Sequence, residues 1–123
     1  MIAGRCRFHG HGSLRYVYSK GQAQRSHYAT LKHVPNQRRK DCRFSVVISK
    51  KVLKSAVGRN RVRRRIYEYV RQNMHRIPDV HDVVIICTSS ELRAMPYDQF
   101  TEQLQSLFIK AGLFPEDGTT VDN

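Results

Sequence analysis

Long apolar runs are missing from this sequence of 123 residues. Its most hydrophobic stretch, Val83-Val84-Ile85-Ile86-Cys87, is far short of the roughly 20 residues that a membrane-spanning helix requires. The segment from Met1 to Gly12 lacks the apolar core of a secretory signal. Cysteine is scarce, and Cys6, Cys42 and Cys87 are widely spaced with no C-x-x-C pair. That pattern indicates neither a disulfide framework nor a zinc ribbon, and a reducing cytoplasm is the expected setting. Cys6-x-x-His9-x-His11 has metal-ligand residue types, but no partner pair follows, so no metal site is expected. The H-E-x-x-H, G-x-S-x-G and P-loop patterns are absent, and the acids show no constellation that a stand-alone nuclease would need.

Acids are scarcest where bases are densest. Residues 1–76 hold 20 of the 22 Lys and Arg, with only Asp41 and Glu68 as acids, a net charge of +18. The remaining residues carry −6, which gives the chain its +12. Solubility needs only a modest charge of either sign. A basic block that ends so abruptly points to a polyanion: RNA, DNA or an anionic membrane.

The hydrophobic content of 40% is that of a globular domain, and the length fits one. Ser13 is placed to cap a short helix from Leu14 to Lys20, with Gly21 as its stop. Tyr28 to Val34 and Arg43 to Ser49 read as strands, joined by a loop that carries Arg38-Arg39-Lys40-Asp41. A further short strand fits near Gln22–Arg25. A long helix follows, from Ser55 or Gly58 to Arg76, with Val62, Ile66, Tyr69, Val70 and Ile77 as its apolar stripe. Arg61, Arg64, Glu68, Arg71 and His75 fall on the opposite face. The continuously apolar Asp82 to Thr88 suits a strand buried on both sides. A last helix, Tyr97 to Ala111, has Phe100, Leu104, Leu107, Phe108 and Ala111 as its stripe. The expected fold is one α/β domain over residues 13–114, its helices packed on a small mixed sheet. A flexible segment, 1–12, is expected before it and a disordered tail, 115–123, after it.

The densest basic stretch runs from Ser49-Lys50-Lys51 through Lys54 to Arg59-Asn60-Arg61-Val62-Arg63-Arg64-Arg65. Guanidinium groups clustered on one helix turn can each grip a phosphate, often bidentately. Asn60 adds a neutral donor and acceptor for a base edge or sugar. A merely solvated basic face fits less well, because five arginines within seven residues repel one another and Glu68 alone cannot neutralise them. A membrane-lying helix is disfavoured because the apolar stripe is needed to cover the sheet. Tyr16, Tyr18 and Tyr28, interleaved with Arg15, Lys20, Arg25 and Lys32, add the mixture of stacking platforms and charge that single-stranded RNA prefers. For Tyr18, packing with Leu14 and Val17 is an equally good reading at this level.

Ser49-Lys50-Lys51, a spacer, and Arg59-Asn60-Arg61-Val62-Arg63-Arg64 together resemble the Arg-Asn-Arg signature of the bacterial ribonuclease P protein subunit. The likeness extends to Arg7-Phe8 and Leu14 to Gly21, to Asp82 to Ile86, and to Tyr97 to Leu113, covering about residues 5–114. Tyr67 stands where the family repeats an arginine, and Leu14 where it typically has Phe. The N-terminus is rich in Gly and His rather than Lys and Arg.

The resemblance implies an α+β two-layer sandwich of the ribosomal protein S5 domain 2-like kind, with a left-handed crossover where most βαβ units are right-handed. It implies a small bacterial, cytoplasmic RNA-binding protein that pairs, one to one, with a catalytic RNA subunit. That ribonucleoprotein is an endonuclease of tRNA processing, which removes the 5′ leader from precursor tRNA. The chemistry belongs to the RNA and its Mg2+, so no residue of the chain is assigned to catalysis or to metal. Carried over, Lys50, Lys51, Lys54, Arg59, Asn60, Arg61, Arg63 and Arg64 would face the RNA subunit. Leu14, Tyr18, Tyr28, Thr30 and Lys32 would line the leader cleft. The rival reading is a ribosomal-protein-like structural RNA-binding module without a processing role.

Overall fold

The computed structural model describes residues 3–8 and 10–115. Residues 116–123 of the expected tail 115–123, and the His9 position of the Cys-His pattern, lie outside the described residues. The elements run α1 (His11–Lys20), β1 (Gln22–Arg25), β2 (Ala29–Pro35), β3 (Arg43–Ile48), α2 (Ala56–Asn73), β4 (His81–Cys87) and α3 (Tyr97–Lys110). Single 3-10 turns occupy Gly4–Cys6, Met74–Arg76 and Ser90–Arg93. The sheet order is β1-β2-β4-β3, with β1–β2 and β2–β4 antiparallel and β3–β4 parallel. α2 is thus the crossover of a βαβ unit, as the pattern of elements requires.

β4 lies between β2 and β3, which explains its unbroken apolar run: Val83, Val84 and Ile85 have no exposed surface. Strand alternation sends Leu31, Phe44, Val46, Val83 and Ile85 into the main core beneath α2 and α3. Val34 and Val84 face the other way and pack with Phe8 and Val17 of α1 in a smaller cluster. α2 ends at Asn73, short of the expected Arg76; its stripe residues Val62, Ile66, Tyr69 and Val70 are buried, as is Ile77 beyond the following 3-10 turn, and Tyr67 joins them. Each fully buried residue of this kind contributes about 1.5–3 kcal/mol, which holds in place a helix whose arginines repel. Ser55 caps it, its hydroxyl oxygen accepting from the Gly58 N–H at 3.2 Å.

Two further expectations change. α1 begins at His11, not after Ser13; Gly10 is the N-cap, and its carbonyl accepts from Leu14 N–H at 3.0 Å. Ser13 lies in the first turn and caps nothing, because the extended Gly10 already turns the chain in. Gly21 does stop the helix: its N–H bonds Val17 O at 2.8 Å, and a Cβ there would sit 2.4 Å from that same oxygen. Within the N-terminal segment expected to be flexible, Cys6, Arg7 and Phe8 are packed, while Ala3, Gly4, Arg5 and Gly10 are exposed. Arg7 forms a parallel bridge to Phe44, Phe8 N–H donates to Phe44 O at 3.2 Å, and Cys6 and Phe8 are buried. The outer edge of β3 offers these residues backbone partners that no local pattern reveals. Arg5 adds an ion pair with Asp41 at 3.3 Å.

Candidate nucleic-acid interface

The start of α2 displays the basic motif, and the hydrogen bonds divide its arginines by task. Arg59 turns one nitrogen inward: Nη1 donates to Leu53 O and Lys54 O, both at 2.8 Å. That spends both Nη1 hydrogens and leaves the Nε and Nη2 edge for another acceptor. Arg61 commits Nε to Arg93 O at 3.2 Å, leaving both terminal nitrogens. Arg63 donates to Asn60 Oδ1 at 2.9 Å, which orients the Asn60 amide and frees its NH2 group to donate outward. Arg64, Lys50, Lys51 and Lys54 are exposed. No carboxylate among the described residues lies within ion-pair distance of these side chains. The acid of this helix, Glu68, is taken by Arg71, which donates to it from Nε at 3.0 Å and holds its carboxyl down at about 2. The result is a set of partly immobilised guanidinium forks with unspent donors, suited to phosphate.

Arg65 is different. Its Nη1 donates to Leu92 O at 2.7 Å and Arg93 O at 3.3 Å, and its Nη2 to Met95 O at 2.6 Å. Its guanidinium carbon lies 4.2 Å from the Phe100 ring centroid. Burial, with Arg61 nearby, lowers its pKa. Arg65 therefore clamps the β4–α3 connection to α2 and is a structural arginine. Tyr67 at the position of the family arginine is buried in the core. With Arg65 and Arg71 both engaged internally, neither presents a free fork in its stead.

The second expected site lies between α1 and the sheet. Alternation along β2 puts Thr30 and Lys32 on the α1 side, with Thr30 buried. Lys32 Nζ donates to Tyr18 O at 3.4 Å and sits 5.2 Å from the Tyr18 ring centroid. Tyr18 is 39% exposed and outside both core clusters, so its ring is available for stacking. Partial burial raises its pKa above the ordinary value of 10. Leu14 packs on the smaller core cluster at the base of this region. Tyr28 precedes β2, packs against the main core and meets His27 edge-on at 4.9 Å.

Sequence reasoning passed over a neighbouring feature. Tyr16, Asn36, Gln37, Arg38 and Arg39 line an open cleft of about 880 Å³ between α1 and the β2–β3 loop. Its floor is Asp82, which is neutralised by Arg43 at 2.9 and 2.8 Å and accepts a hydrogen bond from the Asn36 amide at 2.9 Å. The Arg38-Arg39 pair was visible as a charged loop, but only the fold sets it opposite Tyr16.

The family model described as Ribonuclease P matches residues 3–112. The chain belongs to the ribonuclease P protein family. The ribonuclease P protein component of Synechocystis sp. is 35% identical over 98 residues, covering 79% of this chain and 77% of that protein. That of Pseudanabaena sp. is 32% identical over 95 residues, covering 77% and 81%. In fold, the chain matches the Staphylococcus aureus RNase P protein with a TM-score of 0.80 at 22% identity, over 89% of this chain and 97% of that one. The Thermotoga maritima RNase P protein gives 0.75 at 22%, over 85% and 96%. Membership of the ribonuclease P family favours a processing subunit over a ribosomal-type structural module. Among the described residues, no helix is long and apolar enough to cross a membrane.

Proposed function

We propose that this chain, as the protein component of bacterial ribonuclease P, grips the RNA subunit through α2 and the precursor-tRNA leader through the α1–β2 region. One protein pairs with one RNA in the cytoplasm, and the holoenzyme cleaves the leader from the tRNA 5′ end. The observation that carries this reading is the set Arg59, Arg61, Arg63 and Arg64, which has donors to spare and no carboxylate partner among the described residues. Lys50, Lys51 and Lys54 extend the surface, and Asn60 offers its amide to a sugar or base edge. Tyr18 supplies a stacking face, with Lys32 beside it for a leader phosphate and Leu14 and Thr30 as the floor. Tyr28 flanks the end of that strand.

The protein contributes placement and charge neutralisation. Among the described residues no group of three or more His, Cys, Asp or Glu comes together to hold a metal. In this reading the Mg2+ is held mainly by the RNA of the holoenzyme.

The test is reconstitution with a bacterial RNA subunit at low magnesium, following 5′ maturation of precursor tRNA. Stimulation is expected, with log K against log salt sloping by roughly −3 to −5 if about five phosphates are neutralised. The double change Arg59→Gln, Arg61→Gln should reduce that slope by about 1.4–1.8. No stimulation, together with tight binding to ribosomal RNA, overturns the reading.

A further inference from the structure

Arg93 is one of only two basic residues after Arg76, and it lies in the 3-10 turn Ser90–Arg93 that follows β4. α2 holds its main chain: Arg61 and Arg65 both donate to its carbonyl, and Arg65 also binds the carbonyls of Leu92 and Met95 on either side. Thus anchored, the side chain folds over the first turn of α2. A Cβ built on Gly58 would lie 3.1 Å from Arg93 Nη1, 3.3 Å from Cζ and 3.5 Å from Cδ. Gly58, next to Arg59 in sequence, is buried beneath this side chain.

The position is electrostatically unfavourable in the isolated protein. Arg93 brings another positive charge to a turn that already carries Arg59 and Arg61. The acid two residues away, Glu91, does not offset it, because His27 at 2.9 Å and Ser89 at 3.2 Å engage that carboxylate. Arg93 is exposed, and its side chain has no hydrogen bond or ion pair among the described residues. Its five N–H donors are therefore unspent. An Ala Cβ at position 58 would make the guanidinium give by a few tenths of an ångström, so glycine leaves room for its close approach to the helix.

We propose that Arg93 is a further contact to the RNA subunit: a phosphate-binding guanidinium that the β4–α3 connection lays over Gly58 to extend the basic surface of α2. This rests on the reading of α2 as the RNA-subunit face. It also gives the Arg65 clamp a functional consequence, since the clamp fixes the main chain from which Arg93 reaches.

The experiment measures binding of the full chain to the catalytic RNA subunit across a salt series for Arg93→Gln, Arg93→Lys, Arg59→Gln and Lys110→Gln. Arg93→Gln should weaken binding about fivefold to tenfold near 0.15 M salt and reduce the salt slope by about 0.7–0.9. Arg93→Lys should keep the slope, and Lys110→Gln, at the far end of α3, should change neither quantity. The unfolding midpoint of Arg93→Gln should not fall below that of the parent, because the clamp uses only the main chain of residue 93 and the removed charge is repelled by its neighbours. If Arg59→Gln reduces the slope and Arg93→Gln does not, the proposal is overturned and the α2 interface stands. If neither does, the interface reading fails and the proposal with it. If Lys110→Gln acts as strongly as Arg93→Gln, the effect is one of total charge and the proposal is overturned.

Discussion

Arg64 and Arg65 are adjacent, identical and oppositely employed, so changing each to Gln separates grip from clamp. Arg65→Gln removes two short charge-assisted bonds to the carbonyls of Leu92 and Met95, at 2.7 and 2.6 Å. Hydrogen bonds to charged groups contribute about 1.5–3 kcal/mol each. The contact with Phe100 at 4.2 Å adds about 0.5–2 kcal/mol. These terms overlap, because all three position one guanidinium, and a net loss of about 3–5 kcal/mol is expected. Against a total stability of about 5–15 kcal/mol for a domain, that is a large fraction. At a urea dependence of about 1.5 kcal/mol per molar, the midpoint should fall by roughly 2–3 M. Arg64 is exposed, and Arg64→Gln should shift stability by no more than about 0.5 kcal/mol while reducing the salt slope of RNA binding by nearly one. Equilibrium urea unfolding followed by far-ultraviolet circular dichroism reads the first quantity. A loss below about 1 kcal/mol for Arg65→Gln, or an equal loss for Arg64→Gln, would refute this division of labour.

Two further outcomes follow from buried polar groups. Asp82→Asn leaves the Arg43 guanidinium, whose side chain is 12% exposed, without its counter-charge, and should cost about 3–5 kcal/mol in thermal unfolding; an unchanged midpoint would contradict the pairing. The His33 imidazole is held below its ordinary value of 6.5 by burial, with His81 adding to the effect. Its folded pKa therefore lies under its unfolded one, so the unfolded chain takes up the proton first, and this contribution to stability is present above pH 6.5 and lost as pH falls below it. A side-chain NMR titration with a midpoint at or above 6.5 would be incompatible with this placement.

The two helices with clean apolar periodicity, α2 and α3, were legible because burial repeats with the helix itself: Val62, Ile66 and Val70 are all hidden. β4 was legible because a strand covered on both faces has no polar alternation to obscure it. The N-terminal packing was not, since Arg7 and Phe8 find their backbone partner, Phe44, more than thirty positions away at the edge of β3. Nor was the sorting of the arginines. Arg64 and Arg65 differ only by a rotation of about 100° around the helix, and the carbonyls that capture Arg65 reach it only after β4 has brought the chain back. The phosphate-binding character of the motif could be read in sequence; which arginines are already spent inside the protein could not.

The Arg7–Phe44 bridge has a consequence for handling this protein. β3 is an outermost strand, and its sequence Phe44-Ser45-Val46-Val47-Ile48 is β-prone, uncharged and free of proline, the type of segment that templates intermolecular pairing. The residues just before α1 cover part of that edge, and Phe44 O already holds the Phe8 N–H. A version shortened to begin at Gly10 would keep every residue of the basic helix and still uncover this edge. It would be expected to self-associate more readily than the full chain, and the remedy would be a charge on the outer strand rather than more salt.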